Sequence, residues 1–307
     1  MSGLTAPPEW DGPSTDPNDE QFGDVIEGTT LDAATDYDAV LVGEPYDGAV
    51  IGRKGAHEGP EAIRRELAGT KTHHVDRGAV DAIGDLGNVE IPDDCVEGVQ
   101  FAVQETVTAI YDAGAFPVFL GGDNSLTFPN AAPLLTDGTL GALSFDAHLD
   151  CRAVRDDPTS GTPYRQLHEA GLDAFAVVGA RHFETSTAYH EYVAEQGGHV
   201  VTPETVESDP KAAVDEALDS MDSVDSIYVS LDLDVLEAAA APGVSAPTPG
   251  GLTTRELFEM LSHVAAHDRV AGFEVVECAP PLDDGFRTAR VAARAVAHFL
   301  GGLEVSR

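Results

Sequence analysis

The chain alternates between short apolar segments and longer segments with helical periodicity. Apolar segments rich in Val, Ile and Phe occur at 39–43, 116–122, 141–148, 174–180, 199–202, 226–234 and 269–277. Segments of helical type occur at 57–69, 96–114, 185–198, 209–221, 253–267 and 286–302. The apolar segments lack the alternation of half-exposed strands and are typical of buried parallel strands. The pattern therefore predicts an α/β fold, with helices on both faces of one mainly parallel sheet.

Residues that commonly begin or end helices support several of these elements. Thr253 and Thr254, followed by Glu256, indicate a helix N-terminus, and Gly114 indicates a helix stop. Residues 1–35 are acidic, rich in Pro and without a clear period, so they are predicted to be a polar N-terminal arm that either wraps the domain or is partly disordered. No linker divides the chain after residue 35, and residues 36–307 are predicted to form a single catalytic domain.

The composition is that of a folded globular protein, with 307 residues of which 42% are hydrophobic. No apolar run reaches about 18 residues, so no transmembrane helix is predicted. The N-terminus lacks the basic start and apolar stretch of a signal peptide. Cys95, Cys151 and Cys278 are sparse and odd in number, which argues against a disulfide framework and favours a cytoplasmic protein. Two of the three lie close to acidic motifs, but the simpler interpretation is that they are small buried apolar residues.

The net charge of −37 changes this picture most. It comes from 54 acidic residues against 17 basic ones. A uniformly negative surface repels nucleic acids and anionic membranes, so neither is expected as a partner. Self-repulsion at this level costs stability unless salt screens it. We therefore hypothesise a halophilic protein that works in a very salty cytoplasm.

Acid-rich motifs follow four of the apolar segments. In open parallel sheets, ligands bind beyond the carboxyl ends of the strands. Polar residues clustered where the apolar runs end are therefore candidates for chemistry. The motifs are Asp123-Asn124-Ser125, then Asp146, His148 and Asp150, then Asp232 and Asp234, and finally Glu277.

The spacing of the second motif predicts a metal site. Asp146, His148 and Asp150 stand at i, i+2 and i+4, which in an extended chain places them on one face, and Asp232 and Asp234 repeat that spacing. Such a group would repel strongly without a cation. Four carboxylates and one imidazole suit manganese better than zinc. The alternative for a lone D-x-D pair is that it caps the next helix.

These residues resemble the ureohydrolase superfamily, which contains arginase, agmatinase and formimidoylglutamase. The resemblance runs from 52–67 to 274–285 and is carried by GGDNS (121–125), SFDAHLD (144–150), SLDLD (230–234) and PGVSAPTPGGL (242–252). It implies an arginase-like three-layer αβα sandwich, a small-molecule substrate and two Mn²⁺ per subunit. Since the family forms trimers and hexamers, a homo-oligomer is also expected by resemblance.

The resemblance also implies a ligand set. Asp146 and Asp232 would bridge two Mn²⁺ ions, Asp150 and Asn124 would complete one, and His148 and Asp234 would complete the other. A bridging hydroxide would attack the amidine carbon. Most of the family has histidine where this chain has Asn124. An amide oxygen is a weaker ligand than imidazole, so one Mn²⁺ is expected to be held more weakly. The alternative is that Asn124 only forms a hydrogen bond to a neighbouring ligand.

The substrate is indicated by residues outside the metal motifs. Ser160 in the T-S-G-T-P loop, the PGVSAP segment and Asn124 are similar to formimidoylglutamase rather than to arginase or agmatinase. Arg152 and Arg181 suit a substrate with carboxylates, which arginine pairs with bidentately. The alternative for each arginine is a surface ion pair. The resemblance therefore implies hydrolysis of N-formimidoyl-L-glutamate to L-glutamate and formamide, in histidine degradation.

Three carboxylates are candidate catalytic groups. Asp150 or Asp234 would pass a proton to the leaving amine, and Glu277 would accept hydrogen bonds from the amidinium nitrogen. Alternatively, Glu277 caps the following Pro-rich turn. Two other functions stay open. One is an agmatinase or another guanidino hydrolase that releases urea. The second, suggested by Asn124 and Ser160, is a metal-poor, non-catalytic scaffold.

Overall fold

The computed structural model describes residues 3–16 and 18–303. Eleven strands are present in this part of the chain. They are β1 (Glu27–Gly28), β2 (Ala39–Gly43), β3 (His73–His74), β4 (Gly78–Ala79), β5 (Ile83–Asn88), β6 (Pro117–Leu120), β7 (Leu140–Phe145), β8 (Ala174–Val178), β9 (His199–Val201), β10 (Ser226–Asp232) and β11 (Val270–Val276).

Ten α-helices connect or flank these strands within the described residues. They are α1 (Phe22–Val25), α2 (Gly59–Ala68), α3 (Val96–Asp112), α4 (Thr127–Ala131), α5 (Pro163–Ala170), α6 (Thr187–Glu195), α7 (Pro203–Ser208), α8 (Pro210–Asp219), α9 (Thr254–Val264) and α10 (Arg287–Leu300). Short 3₁₀ turns lie at Leu31–Asp36, Ala56–Glu58, Asn124–Leu126, Ala132–Thr136, Leu233–Val235 and Pro280–Leu282. No helix among the described residues is long and apolar enough to cross a membrane.

Nine strands form one sheet in the order β1-β5-β2-β6-β11-β10-β7-β8-β9. Every neighbouring pair in this sheet is parallel. Helices α2, α7, α8, α9 and α10 pack on one face, and α3, α4, α5 and α6 pack on the other, each over its own apolar core. The predicted three-layer αβα sandwich on a mainly parallel sheet is confirmed.

The strands that the apolar pattern predicted are present, with ends that shift by a few residues. Strand β5 was missed because its sequence, IGDLGN, contains two glycines and an aspartate. Asp85 is nevertheless fully buried there, since Arg64 donates to both of its carboxylate oxygens at 2.8 and 3.0 Å. A buried ion pair thus explains why a polar residue lies inside a buried strand.

The described part of the N-terminal segment packs against the edge of the sheet. Strand β1 pairs with β5, and Leu4 forms a bridge with Val89. Phe22 is 1% exposed, and the indole of Trp10 donates to Asp85 at 3.1 Å. Of the two alternatives for this arm, these contacts match the wrapping extension.

The helix punctuation is also confirmed. Thr253 Oγ1 accepts from the Glu256 N–H at 3.3 Å, and the Glu256 carboxylate accepts from the Thr253 N–H at 2.7 Å, which together form a capping box. Gly114 follows α3 with a φ of 76°. Cys151 and Cys278 are buried, Cys95 is exposed, and all three are free thiols.

Candidate metal centre and active site

Four central strands bring the acid-rich motifs together. Strands β6, β11, β10 and β7 are consecutive neighbours in the sheet and are parallel, so their carboxyl ends share one edge. The register pairs Leu231 with Phe145 and Asp232 with Val276. Asp232 therefore ends its strand level with the last residue of β11, one position before Glu277. The segment after β6 reaches the same edge.

The ligand atoms form two groups that share one carboxylate. Atoms of Asp146, His148 and Asp234 lie within 4.8 Å of one another, and so do atoms of Asp146, Asp150 and Asp232. All five residues predicted from the spacing are thus assembled at one place. Asp146 belongs to both groups, which is the position of a bridging ligand in a two-metal site.

Backbone hydrogen bonds fix these side chains. The His148 N–H donates to Asp146 Oδ1 at 2.6 Å, and the Asp234 N–H donates to Asp232 Oδ1 at 2.8 Å. Asp150 adopts a φ of 36°, and its carbonyl accepts from the N–H of Tyr164 in α5 at 3.2 Å. Strained backbone of this kind persists only where surrounding contacts hold it, and it concentrates at functional sites.

Crowding of buried carboxylates raises their pKa values. Burial, followed by the charges of Asp150 and Asp234, raises the pKa of Asp146 well above its usual value. Burial and then Asp234 do the same to the pKa of Asp232. Burial raises the pKa of Asp150 to about 6, although His148 opposes the shift. Ionising these carboxyl groups together in the folded chain is therefore unfavourable unless a cation balances their charge.

The donor set fits a hard divalent cation. Asp146 Oδ2 is buried and has no hydrogen-bond partner. A buried carboxylate oxygen without a donor is costly, and a cation removes that cost. Carboxylate oxygens with one imidazole are the ligands that Mn²⁺ accepts.

His148 is surrounded by acids. Its Nδ1 lies 3.1 Å from Asp234 Oδ2 and 3.4 Å from Asp146 Oδ1, and its Nε2 lies 3.7 Å from Glu184 Oε2. Burial favours the neutral ring, but Asp234 and then Asp146 outweigh it and raise the pKa of His148 far above its usual value. A cation between these groups would replace the proton that the carboxylates attract. Glu184 was not singled out from the sequence, since it lies in a loop outside the strand-end motifs.

Glu277 directly follows β11, at the carboxyl edge of the sheet. Its backbone has a φ of 64°, and its N–H donates to the Gly122 carbonyl at 2.9 Å. Its Oε1 accepts from the backbone N–H of Asn124 at 3.0 Å. Burial, followed by the charge of Asp123, raises the pKa of Glu277 to about 8. Its carboxyl group is thus bonded to the Asp123-Asn124-Ser125 motif, and the catalytic role stays a prediction.

Asn124 presents its amide nitrogen to the site. Its Nδ2 donates to Asp150 Oδ2 at 2.6 Å, and its Oδ1 accepts from Thr127 Oγ1 at 2.6 Å. With the oxygen turned away, this arrangement matches the alternative in which Asn124 forms a hydrogen bond to a neighbouring ligand. The direct ligand role remains a prediction that requires the amide to turn.

Two of the candidate substrate residues lie on the loops beside the site. Arg152 is exposed, its backbone N–H donates to the Gly161 carbonyl at 2.9 Å, and its guanidinium lies 5.8 Å from the Tyr189 ring centroid. Ser160 Oγ accepts from the Ile51 N–H at 3.1 Å. Arg152 is therefore exposed beside the site, while Ser160 joins two loops there, and the substrate role of both stays a prediction.

Arg181 occupies a different environment from the one expected of it. The side chain is buried, and its two Nη atoms donate to the carbonyls of Thr248 and Asp234. A guanidinium engaged in this way has little left for a substrate carboxylate. The expectation that Arg181 binds substrate is therefore corrected. Its contacts are those of a positioning residue, since they join the 242–252 segment to the backbone of Asp234.

Several buried polar residues lie behind the site; Asp123 belongs to a predicted motif, whereas Thr127 and Glu274 were not identified from the sequence. Asp123 Oδ2 accepts from the Ala49 N–H at 2.9 Å, which ties the loop after β2 to the metal motif. Thr127 and Glu274 are fully buried and contact each other at 2.5 Å. The only signal for Glu274 was a single charged residue within an apolar strand. Its role depends on contacts that the local pattern does not contain.

Comparison with known proteins agrees with this geometry. A model of the arginase family matches residues 37–301. A protein from Halobacterium salinarum named formimidoylglutamase is 58% identical over 301 residues, which cover 96% of this chain and 98% of that protein.

Solved structures agree as well. A formimidoylglutamase from Bacillus subtilis aligns with a TM-score of 0.87 at 30% identity, covering 94% of this chain and 93% of that one. A Trypanosoma cruzi formiminoglutamase described with Mn²⁺ aligns with a TM-score of 0.79 at 29% identity, covering 88% and 94%. The resemblance stated from the motifs is confirmed.

Proposed function

Because the chain belongs to the arginase family, we propose that it hydrolyses N-formimidoyl-L-glutamate to L-glutamate and formamide. Likeness to a formimidoylglutamase along nearly the whole chain carries this proposal. The strand-end site supports it, since water must attack an amidine carbon and cleave its bond to the glutamate nitrogen. One water is consumed, and formamide and glutamate account for all atoms.

The proposed cofactor is a pair of Mn²⁺ ions. Asp146, Asp150 and Asp232 would hold one, with Asn124 beside them, and Asp146, His148 and Asp234 would hold the other. The family resemblance implies that Asp232 would also reach the second ion. When bound, such a pair activates water as a nucleophile at neutral pH. The excess of buried carboxylate described above supports both ions.

The remaining steps fall to the side chains of this chain. Glu277, whose Oε2 has no protein partner, would accept a hydrogen bond from the amidinium nitrogen and hold the reacting carbon in place. Asp150 or Asp234 would carry a proton to the glutamate nitrogen as it leaves. The guanidinium of Arg152 would pair with a substrate carboxylate. Ser160 would bound the substrate at the rim.

The cellular setting is part of the same proposal. Residues 1–35 would act as an arm on the catalytic domain of residues 36–307, and the domain would assemble into a homo-oligomer. The enzyme would work in a salty cytoplasm, in histidine degradation. The net charge of −37 supports the saline setting.

A product assay tests this function. Purified protein at high salt with added Mn²⁺ is offered formimidoylglutamate, agmatine, arginine and guanidinobutyrate in separate reactions. We expect formamide and glutamate from the first and no urea from the others. An Asp146→Asn variant serves as the inactive control, since it removes the shared ligand. Urea without formamide would instead identify a guanidino hydrolase.

A further inference from the structure

A chain of buried hydrogen bonds leads from the metal site into the protein interior. Asp150 accepts from the amide of Asn124, the amide oxygen contacts the Thr127 hydroxyl at 2.6 Å, and that hydroxyl contacts Glu274 Oε1 at 2.5 Å. Asn124 is 1% exposed, and Thr127 and Glu274 are fully buried. Water is thus excluded as a partner for these side chains, and their protons must be shared among themselves.

The number of protons in this series of hydrogen bonds limits which group can donate in each contact. Thr127 has one hydroxyl proton and two oxygen neighbours, Asn124 Oδ1 and Glu274 Oε1. If Thr127 donates to Asn124, its contact with Glu274 requires a proton on the glutamate. If Glu274 is ionised, Thr127 must donate to it, and the Asn124 amide must turn so that its nitrogen faces Thr127. Its oxygen would then face Asp150.

The far side of Glu274 favours the first arrangement. Its Oε2 accepts from Tyr228 Oη at 2.8 Å and from Asn130 Nδ2 at 2.9 Å. Asn130 Nδ2 also donates to Glu44 Oε2 at 2.9 Å, so a second buried carboxyl group lies close by. Burial raises the pKa of Glu274 above its usual value, although hydrogen bonds with Ser230, Thr127, Asn130 and Tyr228 oppose the shift. A neutral carboxyl group that accepts from Tyr228 and Asn130 at Oε2 and donates to Thr127 from Oε1 is compatible with all three of these hydrogen bonds.

We propose that Glu274 and Thr127 are positioning residues that hold the Asn124 amide with its nitrogen toward Asp150 and its oxygen away from the metal site. This inference rests on the proposed function only in taking the strand-end site to bind Mn²⁺. It attributes the expected weaker binding of one Mn²⁺ ion to this series of hydrogen bonds. The amide oxygen is withheld as a ligand, and one oxygen of Asp150 is occupied by an N–H donor.

Removal of the Thr127 hydroxyl should release the amide. In Thr127→Val, an isosteric change, Asn124 Oδ1 loses its donor and gains by turning toward a bound cation. We expect the weaker Mn²⁺ to bind about fivefold more tightly, the factor that one hydrogen bond contributes to an equilibrium. Thr127→Ser keeps the hydroxyl and should match the unmodified protein. Glu274→Gln keeps a permanent donor beside Thr127 and should also match it.

The measurement is a Mn²⁺ titration of the full chain at high salt, followed by electron paramagnetic resonance and metal analysis. Thermal midpoints of all variants are recorded alongside. A double-mutant cycle with Asn124→Ala shows whether Thr127 acts through the amide. In that background, Thr127→Val should no longer change the Kd of the weaker ion. The titration uses no substrate, so its outcome is separate from the identity of the amidine hydrolysed.

Three results would overturn the proposal. One is a Kd in Thr127→Val that is equal to or weaker than in Thr127→Ser. Another is the same shift in the Asn124→Ala background, and the third is a changed Kd in Glu274→Gln. A purely structural role would lower the thermal midpoint of Thr127→Val without changing the ratio of the two Mn²⁺ affinities. If Thr127→Val does not fold, Thr127→Ala removes the same hydroxyl with less bulk and is judged by the same criteria.

Discussion

Glu277 accepts a hydrogen bond from the backbone N–H of Asn124 at 3.0 Å, and its second carboxylate oxygen is buried without a partner. The residue sits in the left-handed region of backbone space, at a φ of 64°. That conformation costs about 1–3 kcal/mol for a residue with a side chain. The hydrogen bonds of Glu277 with Gly122 and Asn124 hold this conformation and leave one carboxyl oxygen available to a substrate.

Glu277→Gln is therefore expected to lower kcat about 100- to 1,000-fold, the usual size of the contribution from one positioned carboxylate. The amide keeps the hydrogen bond from Asn124 but presents no negative oxygen to the amidinium group. Since Glu277 belongs to neither ligand group, Mn²⁺ content should not change. Formamide release and metal analysis measure the two effects.

The matched control for this variant is Glu191→Gln, on the exposed face of α6. It removes the same charge far from the strand-end motifs in sequence and should keep normal turnover. Normal turnover in Glu277→Gln would contradict the role assigned to this carboxylate. Loss of Mn²⁺ from the same variant would make it a ligand instead.

Arg152→Met is expected to raise KM for formimidoylglutamate about 10- to 100-fold, as the loss of one charge-assisted hydrogen bond implies. The exposed guanidinium would no longer pair with a substrate carboxylate, while the groups that carry out hydrolysis remain. Arg155→Met, three residues along the same loop and also exposed, is the control. Initial-rate kinetics distinguish the two variants, and equal KM values for both would remove Arg152 from the substrate site.

The stabilisation of the fold by Mn²⁺ is expected to increase with pH. The pKa values of Asp146, Asp150, Asp232 and Glu277 are all raised in the folded chain, to about 6 for Asp150 and about 8 for Glu277. Unfolded carboxyl groups titrate near about 4. The metal-free fold therefore binds protons more strongly than the unfolded chain, and its free energy of unfolding falls as pH rises from about 4 to about 8.

Mn²⁺ binds the deprotonated carboxylates, so it opposes this loss most strongly at high pH. The difference in thermal midpoint between Mn²⁺-loaded and chelated protein should widen between about pH 5 and about pH 8. Calorimetry at constant salt concentration measures it. Asp146→Asn, which lacks the shared ligand, should show a much smaller widening. A difference that stays constant with pH would contradict the titration assigned to these groups.

The central strands were predictable because burial on both faces leaves a continuous apolar run, as in 39–43. Strand β5 was not, because Asp85 depends on Arg64, a residue from a different element. A local pattern contains no information about such a partner. The same limit applied to the N-terminal arm, in which isolated residues make the contacts: Trp10 with Asp85 of β5, and Leu4 with Val89 just after it.

The candidate site was likewise predictable only in part. The strand-end motifs predicted that the five ligands would come together, because parallel strands share an edge. The extended chain expected for 146–150 is wrong, since β7 ends at Phe145 and Asp150 has a φ of 36°. The polar residues behind the ligands could not be identified in this way. Glu274 lies on a strand that reads as apolar, and its function depends on Thr127 from a distant segment. Motif spacing thus locates ligands, whereas the orientation of Asn124 depends on tertiary packing.

Stability should also depend on salt. The chain carries 54 acidic and 17 basic residues, and many of the acids are exposed on the helices and loops around the sheet. Repulsion between exposed charges extends over about 10 Å at 0.1 M ionic strength but only about 3 Å at 1 M. The thermal midpoint is therefore expected to rise steeply as KCl increases from dilute buffer to molar concentration. Sucrose serves as the control, because it stabilises proteins by exclusion from their surface but does not screen charge.

A charge-reduced variant makes this test specific. Replacement of Glu191, Glu195 and Asp268 by their amides removes three exposed charges without touching the strand-end ligands. Since less repulsion remains to be screened, this variant should reach its maximal midpoint at a lower KCl concentration than the unmodified chain. Full folding of the unmodified protein in dilute buffer without salt, with a midpoint that KCl does not change, would remove the hypothesis of a saline working environment.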